Sequence, residues 1–241
     1  MEKFRCTDHV FIGHQKWTVF RSVSEASSYN CMKTPRPPTA FERHSRPDAL
    51  FERWNVDARK RELLGGIVVI AAVVEFQTER TIWALEGHEP ASGRHWTDSR
   101  PISDFIDRLA KLGNADTERA RGDLVELWCE AATPAFHCRN SIVHGIPISF
   151  GGEWVNFSAN YPLGGAVKKR PPTTFSADNN TLNLIQGAFA VLLHTLPHVQ
   201  QWDEKPPSEN GLKQMMSALR EARSIGWELK DLAAAVNHEK Y

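Results

Sequence analysis

Residues Phe136 to Gly145 read Phe-His-Cys-Arg-Asn-Ser-Ile-Val-His-Gly. On a helix, Asn140 and His144 are four apart and fall on one face, with Arg139 one step round beside Asn140. Ile142 and Val143 are expected to point the other way, into a core. Gly145 is a natural stop, which leaves His144 at the C-terminal end of the helix. This sets a permanent cation, an amide and an imidazole at the margin of a bundle. A guanidinium grips phosphate oxygens through paired hydrogen bonds. Imidazole exchanges protons near neutral pH. Together they suit cleavage of a phosphodiester whose own 2′-hydroxyl is the nucleophile.

The elements that must position these groups are mainly helical. A long first helix is expected from about Asp57 to about Leu85, apolar on every side through Ile67 to Val74 and therefore central in a bundle. Ser99 to Gly113 reads as a second helix, with Pro101 near its start. A third begins near Asp116, and Pro134 is expected to kink or break it just before the motif. The last two run from about Asn180 to Trp202 and from about Ser208 to Asn237. Between them the period changes. Ile146 to Phe150, Gly151-Gly152 and Glu153 to Ser158 read as a β-hairpin, followed by a loop holding Lys168-Lys169-Arg170. Up to about Pro47 the sequence is irregular, with a strand pair suggested by Val10-Phe11-Ile12 and Trp17 to Phe20. The division expected is an irregular and β segment over 1–56 and a helical bundle over 57–241, with the hairpin and loop inserted at about 146–179.

The chain has 241 residues, of which 41% are hydrophobic, and its 29 basic and 29 acidic residues cancel. That balance argues against a high-affinity duplex-DNA binder, which carries a strong positive excess, but not against an enzyme that meets nucleic acid through one small patch. Cys6, Cys31, Cys129 and Cys138 form no CxxC pair and are expected to be free thiols in a reducing cytosol. The first residues develop no signal peptide, and the Ile67–Val74 run is too short to span a bilayer. A cytoplasmic protein without membrane attachment is expected.

The string Arg139-Asn140-Ser141-Ile142-Val143-His144-Gly145 resembles the R-x4–6-H motif of the HEPN superfamily, in its frequent form with Asn after Arg. The helices before it and the long helices after it resemble that family's antiparallel bundle, so the resemblance covers roughly Asp57 to Asn237 in layout and seven residues in detail. It implies a homodimer in which two motifs face each other, and a metal-independent endoribonuclease with no cofactor. Such domains occur in toxin–antitoxin pairs, abortive-infection systems and CRISPR-associated nucleases, so a role in phage defence or as a toxin is implied, with RNA as substrate and a cognate antitoxin or sensor as a further partner. Carried over, His144 exchanges a proton with the 2′-hydroxyl or the leaving 5′-oxygen. Arg139 stabilises charge developing on phosphorus, and Asn140 orients either the phosphate or the imidazole. The products implied are a 2′,3′-cyclic phosphate and a 5′-hydroxyl. One departure matters: where the subgroup silenced by nucleotidyltransferase antitoxins has Tyr two residues after the His, this chain has Ile146, which argues against that silencing. Family members also often add an acidic residue from an early helix. Glu75 and Glu79 share a face and suit that role, although a solvated helix surface explains them too. The alternative function is a non-catalytic HEPN module for dimerisation or RNA binding within a larger system.

Other groups have plainer readings. Cys138 is expected to be a small buried hydrophobe rather than a nucleophile. Cys129, His137 and Cys138 match no usual zinc spacing, and His194 and His198 lack the acidic partner of a HExxH helix, so no metal site is expected. Lys168, Lys169 and Arg170 are either a solvated loop or a contact to RNA phosphates. Arg59-Lys60-Arg61 has the same two readings, with the solvated helix start preferred. The eight tryptophans are scattered singly and most are expected in the core, although Trp154 on the hairpin is able to stack on an unpaired base.

Overall fold

The computed structural model describes residues 9–12, 15–18, 37–44, 46–88, 100–148, 152–159 and 173–238. The chain divides into two units, 1–45 and 46–241, so the boundary falls between Ser45 and Arg46. In the first unit, β1 (His9–Ile12) and β2 (Gln15–Thr18) pair antiparallel with Val10 opposite Trp17. Val19, Phe20, Gly13 and His14 lie outside the described residues. The irregular stretch expected up to Pro47 contains a short helix, α1 (Ala40–His44). It begins in a capping box: the Thr39 amide donates to Glu42 Oε2 at 2.6 Å and the Glu42 amide to Thr39 Oγ1 at 3.1 Å.

The second unit is mainly helical with a small antiparallel sheet. Its elements in order are α2 (Pro47–Arg53), α3 (Ala58–Leu85), α4 (Ile102–Asn114), α5 (Arg119–His144), β3 (Ile146–Ile148), β4 (Val155–Ala159), β5 (Thr173–Ala177), α6 (Asn179–Gln200) and α7 (Glu209–His238). The caps follow from residue chemistry. Asp57 accepts the Lys60 amide at 2.8 Å, and Asp178 accepts the Thr181 amide at 2.7 Å. Lys60 is itself buried and paired with Asp57, Arg61 with Asp48, and Arg59 with Glu62. Of this cluster only Lys60 leaves solvent, while Arg59 and Arg61 keep the solvated surface expected of them, each in an exposed ion pair.

Two expectations about the helices change. The central place does not fall to α3: α5 meets more elements than any other helix, and α6 packs on α3, α5, α7 and β5 and buries Leu182, Ile185, Phe189, Leu192 and Leu196. It is long and apolar enough to cross a membrane, and its place in the core accounts for that composition. By contrast α3 buries only one side, through Leu63, Ile67, Ala71 and Val74, and leaves Val69 63% exposed with Val68, Val73 and Phe76 beside it. An all-apolar run cannot tell a helix with every face covered from one with a face left over.

The second concerns Pro134, where of the kink or break expected the break does not occur. The helix neither stops nor splits there: α5 runs unbroken through it. A proline in mid-helix costs about 3 kcal/mol, through its missing N–H and its clash with the carbonyl four residues back. Packing offsets this. Trp128 is fully buried and its Nε1 donates to the Leu192 carbonyl of α6 at 2.9 Å. Phe136 meets Phe189 edge-on with ring centroids 5.0 Å apart. Opposite Pro134, α7 presents Gly226, where a Cβ would stand 2.9 Å from the proline Cγ.

The hairpin after the motif is present, β3 pairing antiparallel with β4, but the chain then adds a third strand where a loop was expected. Thr174, Phe175, Ser176 and Ala177 alternate in burial, Phe175 and Ala177 facing the core. The preceding Pro171-Pro172 hides this short alternation in the sequence. Lys168, Lys169 and Arg170 lie outside the described residues.

Trp128→Phe should keep the fold but lose the indole's hydrogen bond to the Leu192 carbonyl of α6. We expect urea denaturation to show a loss of ~1–3 kcal/mol with an unchanged slope. An unchanged midpoint would mean that α5 does not depend on this anchor.

Candidate functional site

The last two turns of α5 place the motif. Arg139 Nη1 donates to Asn140 Oδ1 at 2.9 Å, and Nη2 lies 3.7 Å from Glu75 Oε1 on α3. The Arg139 side chain is 19% exposed and that of Glu75 is 33% exposed. The Arg139 Nε is buried without a hydrogen-bond partner among the described residues. Three of the expected residues, Arg139, Asn140 and Glu75, are thus brought together. Glu79, one turn further along α3, is buried, which rules out the solvated surface as its explanation.

Two effects oppose each other at Glu75. Burial pushes its carboxyl above the ordinary value, and the Arg139 guanidinium draws it back only in part. At 3.7 Å the pair is too long for a tight charge-assisted bond, so desolvation wins.

His144 is the last residue of α5 and is exposed. Ile142 is buried as expected, but Val143 is 43% exposed, because the chain is leaving the helix and the core at that turn. Gly145 does not adopt a left-handed cap; its φ of −83° and ψ of 144° lead straight into β3. Glycine is needed there for room. A Cβ would stand 2.6 Å from Phe157 Cβ on β4 and 2.4 Å from the Ser141 carbonyl. The sheet is therefore pressed against the end of the motif helix, which fixes where His144 emerges.

The surroundings add His137, weighed in the sequence only as a metal ligand, and Lys230, which the sequence did not single out. His137 is exposed on the face that carries Asn140 and His144, and burial together with Lys230 of α7 holds its imidazole below the ordinary pKa. Lys230 also stacks on Trp227, its Nζ 4.0 Å from the ring centroid. Nothing in the local pattern of α7 marks Lys230, because its nearness to α5 is a property of helix packing. Cys129 and Cys138 are buried, and desolvation pushes both thiols up to about 12, which suits inert core residues. Among the described residues no three His, Cys, Asp or Glu side chains cluster as metal ligands would.

Chemically the arrangement offers an exposed imidazole, a partly sheltered guanidinium with one unsatisfied N–H, and an acid with a raised pKa behind it. No protein-family model matches the sequence, and no curated protein or solved structure is significantly similar to it.

The raised Glu75 pKa has a consequence for stability. The folded chain holds this proton more tightly than the unfolded chain, so the contribution is whole below the ordinary value of 4.5 and is lost as pH rises through the raised native value. Glu75→Gln keeps the shape and removes the titration. The stability of the wild type relative to Glu75→Gln should fall as pH rises from the ordinary carboxylate value through the raised native one, read from urea midpoints. A difference that stays flat or grows with pH would contradict the burial of this acid.

Proposed function

We propose that this protein is a HEPN-type, metal-independent endoribonuclease that cleaves RNA through the substrate's own 2′-hydroxyl, acting in phage defence or as a toxin. The observation that carries this reading is the placement of Arg139, Asn140 and His144 on the final turns of one rigid helix, with Glu75 behind the guanidinium. The antiparallel helical surroundings of α3, α5, α6 and α7 are consistent with the bundle of that family. His144, exposed at the helix end, takes or gives the proton. Arg139 supplies charge for the phosphoryl oxygens, and its unsatisfied Nε–H is a donor that a phosphate oxygen would complete. Asn140 holds the guanidinium at a fixed angle. The acid behind Arg139 keeps the cation in place, and because burial favours its protonated form, it neutralises that cation less than a free carboxylate would.

Cleavage needs one proton removed and another supplied. His137 is seven residues before His144 on the same face, roughly 10 Å away along the helix, too far to share one phosphate with it. A second copy of the chain supplies the second imidazole. The α3 stripe of Val69, Val73 and Phe76 supports this reading: it is exposed, apolar and adjacent to Glu75. A self-complementary face of this kind suits a two-fold dimer, and pairing there would bring two motifs toward each other.

One observation favours the non-catalytic alternative, an RNA-binding or dimerisation module. Arg139 is mostly covered and already engaged by Asn140 and Glu75, as a structural arginine would be.

The two readings separate in a cleavage assay. RNA should be cut in EDTA, and an oligomer with 2′-deoxy at the cut should resist. His144→Ala should reduce the rate by ~10²–10⁴-fold, the usual size of a lost proton transfer. Chelator-sensitive cutting, or equal cutting of DNA, would overturn the mechanism. RNA binding without cutting, unchanged by His144→Ala, would establish the binding module instead.

Val69→Glu tests the dimer. The residue is too exposed for the charge to unfold a monomer, yet it would place two carboxylates within the paired stripe. Light scattering should show a monomer, with cleavage lost in parallel. A monomer that retains full cleavage would exclude a shared site.

A further inference from the structure

A cavity of about 320 Å³ lies between the sheet and the C-terminal half of α7. Its apolar walls come from Phe175 on β5 and from Leu229 and Leu232 on α7. Its polar side is formed by Asn156 on β4, Ser176 on β5 and Thr181 in the first turn of α6. Thr174 and Ala233 also line it, and Trp154, on the same side, is 48% exposed. No charged side chain lines the cavity among the described residues.

These features specify a ligand chemistry. The volume is at the lower end of the ~300–1,000 Å³ of small-ligand sites, room for a single heterocycle and its sugar rather than for a peptide or lipid chain. Apolar walls and an available indole face call for a flat ring. The polar side is already arranged. Ser176 Oγ donates to Asn156 Oδ1, which leaves the Asn156 amide hydrogens as donors and the Ser176 oxygen lone pairs as an acceptor beside them. A donor next to an acceptor is the complement of a nucleobase's hydrogen-bonding edge. A neutral lining suits the base and leaves the phosphates outside.

The site is also held in place. Asn55, between α2 and α3, stands at φ 57°, in the left-handed region that costs a non-glycine residue energy. Its Nδ2 donates to the carbonyls of Gly152 and Trp154. The strained residue thus pins the turn of the hairpin and, with it, the backbone of Trp154.

We infer that this cavity is a nucleobase-binding site in which a base stacks on Trp154 and pairs its edge with Asn156 and Ser176. The inference deepens the ribonuclease reading by naming where an unpaired base of the substrate is held. β3 joins the two places directly. Ile148 is paired with Asn156 and lies four residues beyond His144, ~13 Å at the rise of a β-strand, so a base in the cavity would sit a few nucleotides from a phosphate at the motif. A free nucleotide carries the same ring, and the test separates the two sources.

The experiment uses full-length His144→Ala protein, so that no probe is consumed, with 2-aminopurine as a fluorescent base. One arm titrates 2-aminopurine riboside monophosphate, and the other a short single-stranded RNA containing one 2-aminopurine. Stacking on Trp154 should quench the probe saturably. Trp154→Ala should weaken binding by about 5–150-fold, the equivalent of the ~1–3 kcal/mol carried by base–aromatic stacking, and Trp154→Phe should restore part of it. Leu232→Trp, at a rim position 62% exposed, should fill the cavity and abolish quenching without disturbing the fold. Quenching in the RNA arm alone identifies a substrate subsite. Quenching in the free-nucleotide arm alone identifies an effector site, and in both it identifies a base pocket open to either. Absence of quenching in both arms, or quenching indifferent to Trp154→Ala and Leu232→Trp, overturns the inference. If the wild type cuts RNA while quenching is absent, only the pocket is refuted. If quenching stands and no RNA is cut, only the nuclease reading fails.

Discussion

The anchoring of α5 on α6 is the contact on which the rest of the structure depends. Trp128 and Phe136 hold the helix on either side of Pro134, one through an indole hydrogen bond to a backbone carbonyl and both through buried aromatic area. Without that packing, the proline would favour a break one turn before the motif. With it, the helix stays continuous to His144, and Arg139 and Asn140 inherit fixed directions from a rigid segment. Gly226 on α7 completes the arrangement by letting a second helix approach the proline ring. Removing a Cβ on one helix makes room for an unusual residue on its neighbour.

Fixing the helix leaves an electrostatic problem at its end. A guanidinium held near a core must be paired, and Glu75 of α3 is the acid within reach. Their separation is a compromise. A tight ion pair would bury both charges and leave Arg139 nothing to offer a ligand, whereas an unpaired arginine at this depth would be costly. The observed geometry lies between these limits. Burial keeps Glu75 reluctant to ionise, and one N–H of Arg139 stays unsatisfied. Such residual frustration is common where a site awaits a ligand, and less so in a purely structural pair.

The small sheet links the end of the motif helix to the cavity beside α7. Gly145 lets β4 press against the end of α5, and Asn55 secures the far turn of the hairpin, so the motif and the cavity under Trp154 are joined by three short strands with little freedom. A hairpin alone would have exposed both of its edges. β5 covers one edge of β4 and supplies Phe175 and Ser176 to the cavity.

Local pattern determined much of this protein. Helical periodicity placed α3, α4, α6 and α7 to within a few residues, because Pro101 and the turns between the helices act on the chain next to them. The order of Arg139, Asn140 and His144 on one helix was likewise readable, since a period of 3.6 residues is a property of the segment itself. Tertiary structure decided what no segment contains. It buried α6 against α3, α5, α7 and β5 and left a face of α3 bare, though both runs are apolar. It carried α5 through Pro134, turned Val143 outward, chose Glu75 as the partner of Arg139, and brought Lys230 toward His137. It also paired a third strand with the hairpin and enclosed a cavity between Trp154 and α7. Each of these outcomes depends on contact between residues far apart in the chain, whose energies are set by which surfaces meet and how much water they exclude, quantities that no local spacing encodes.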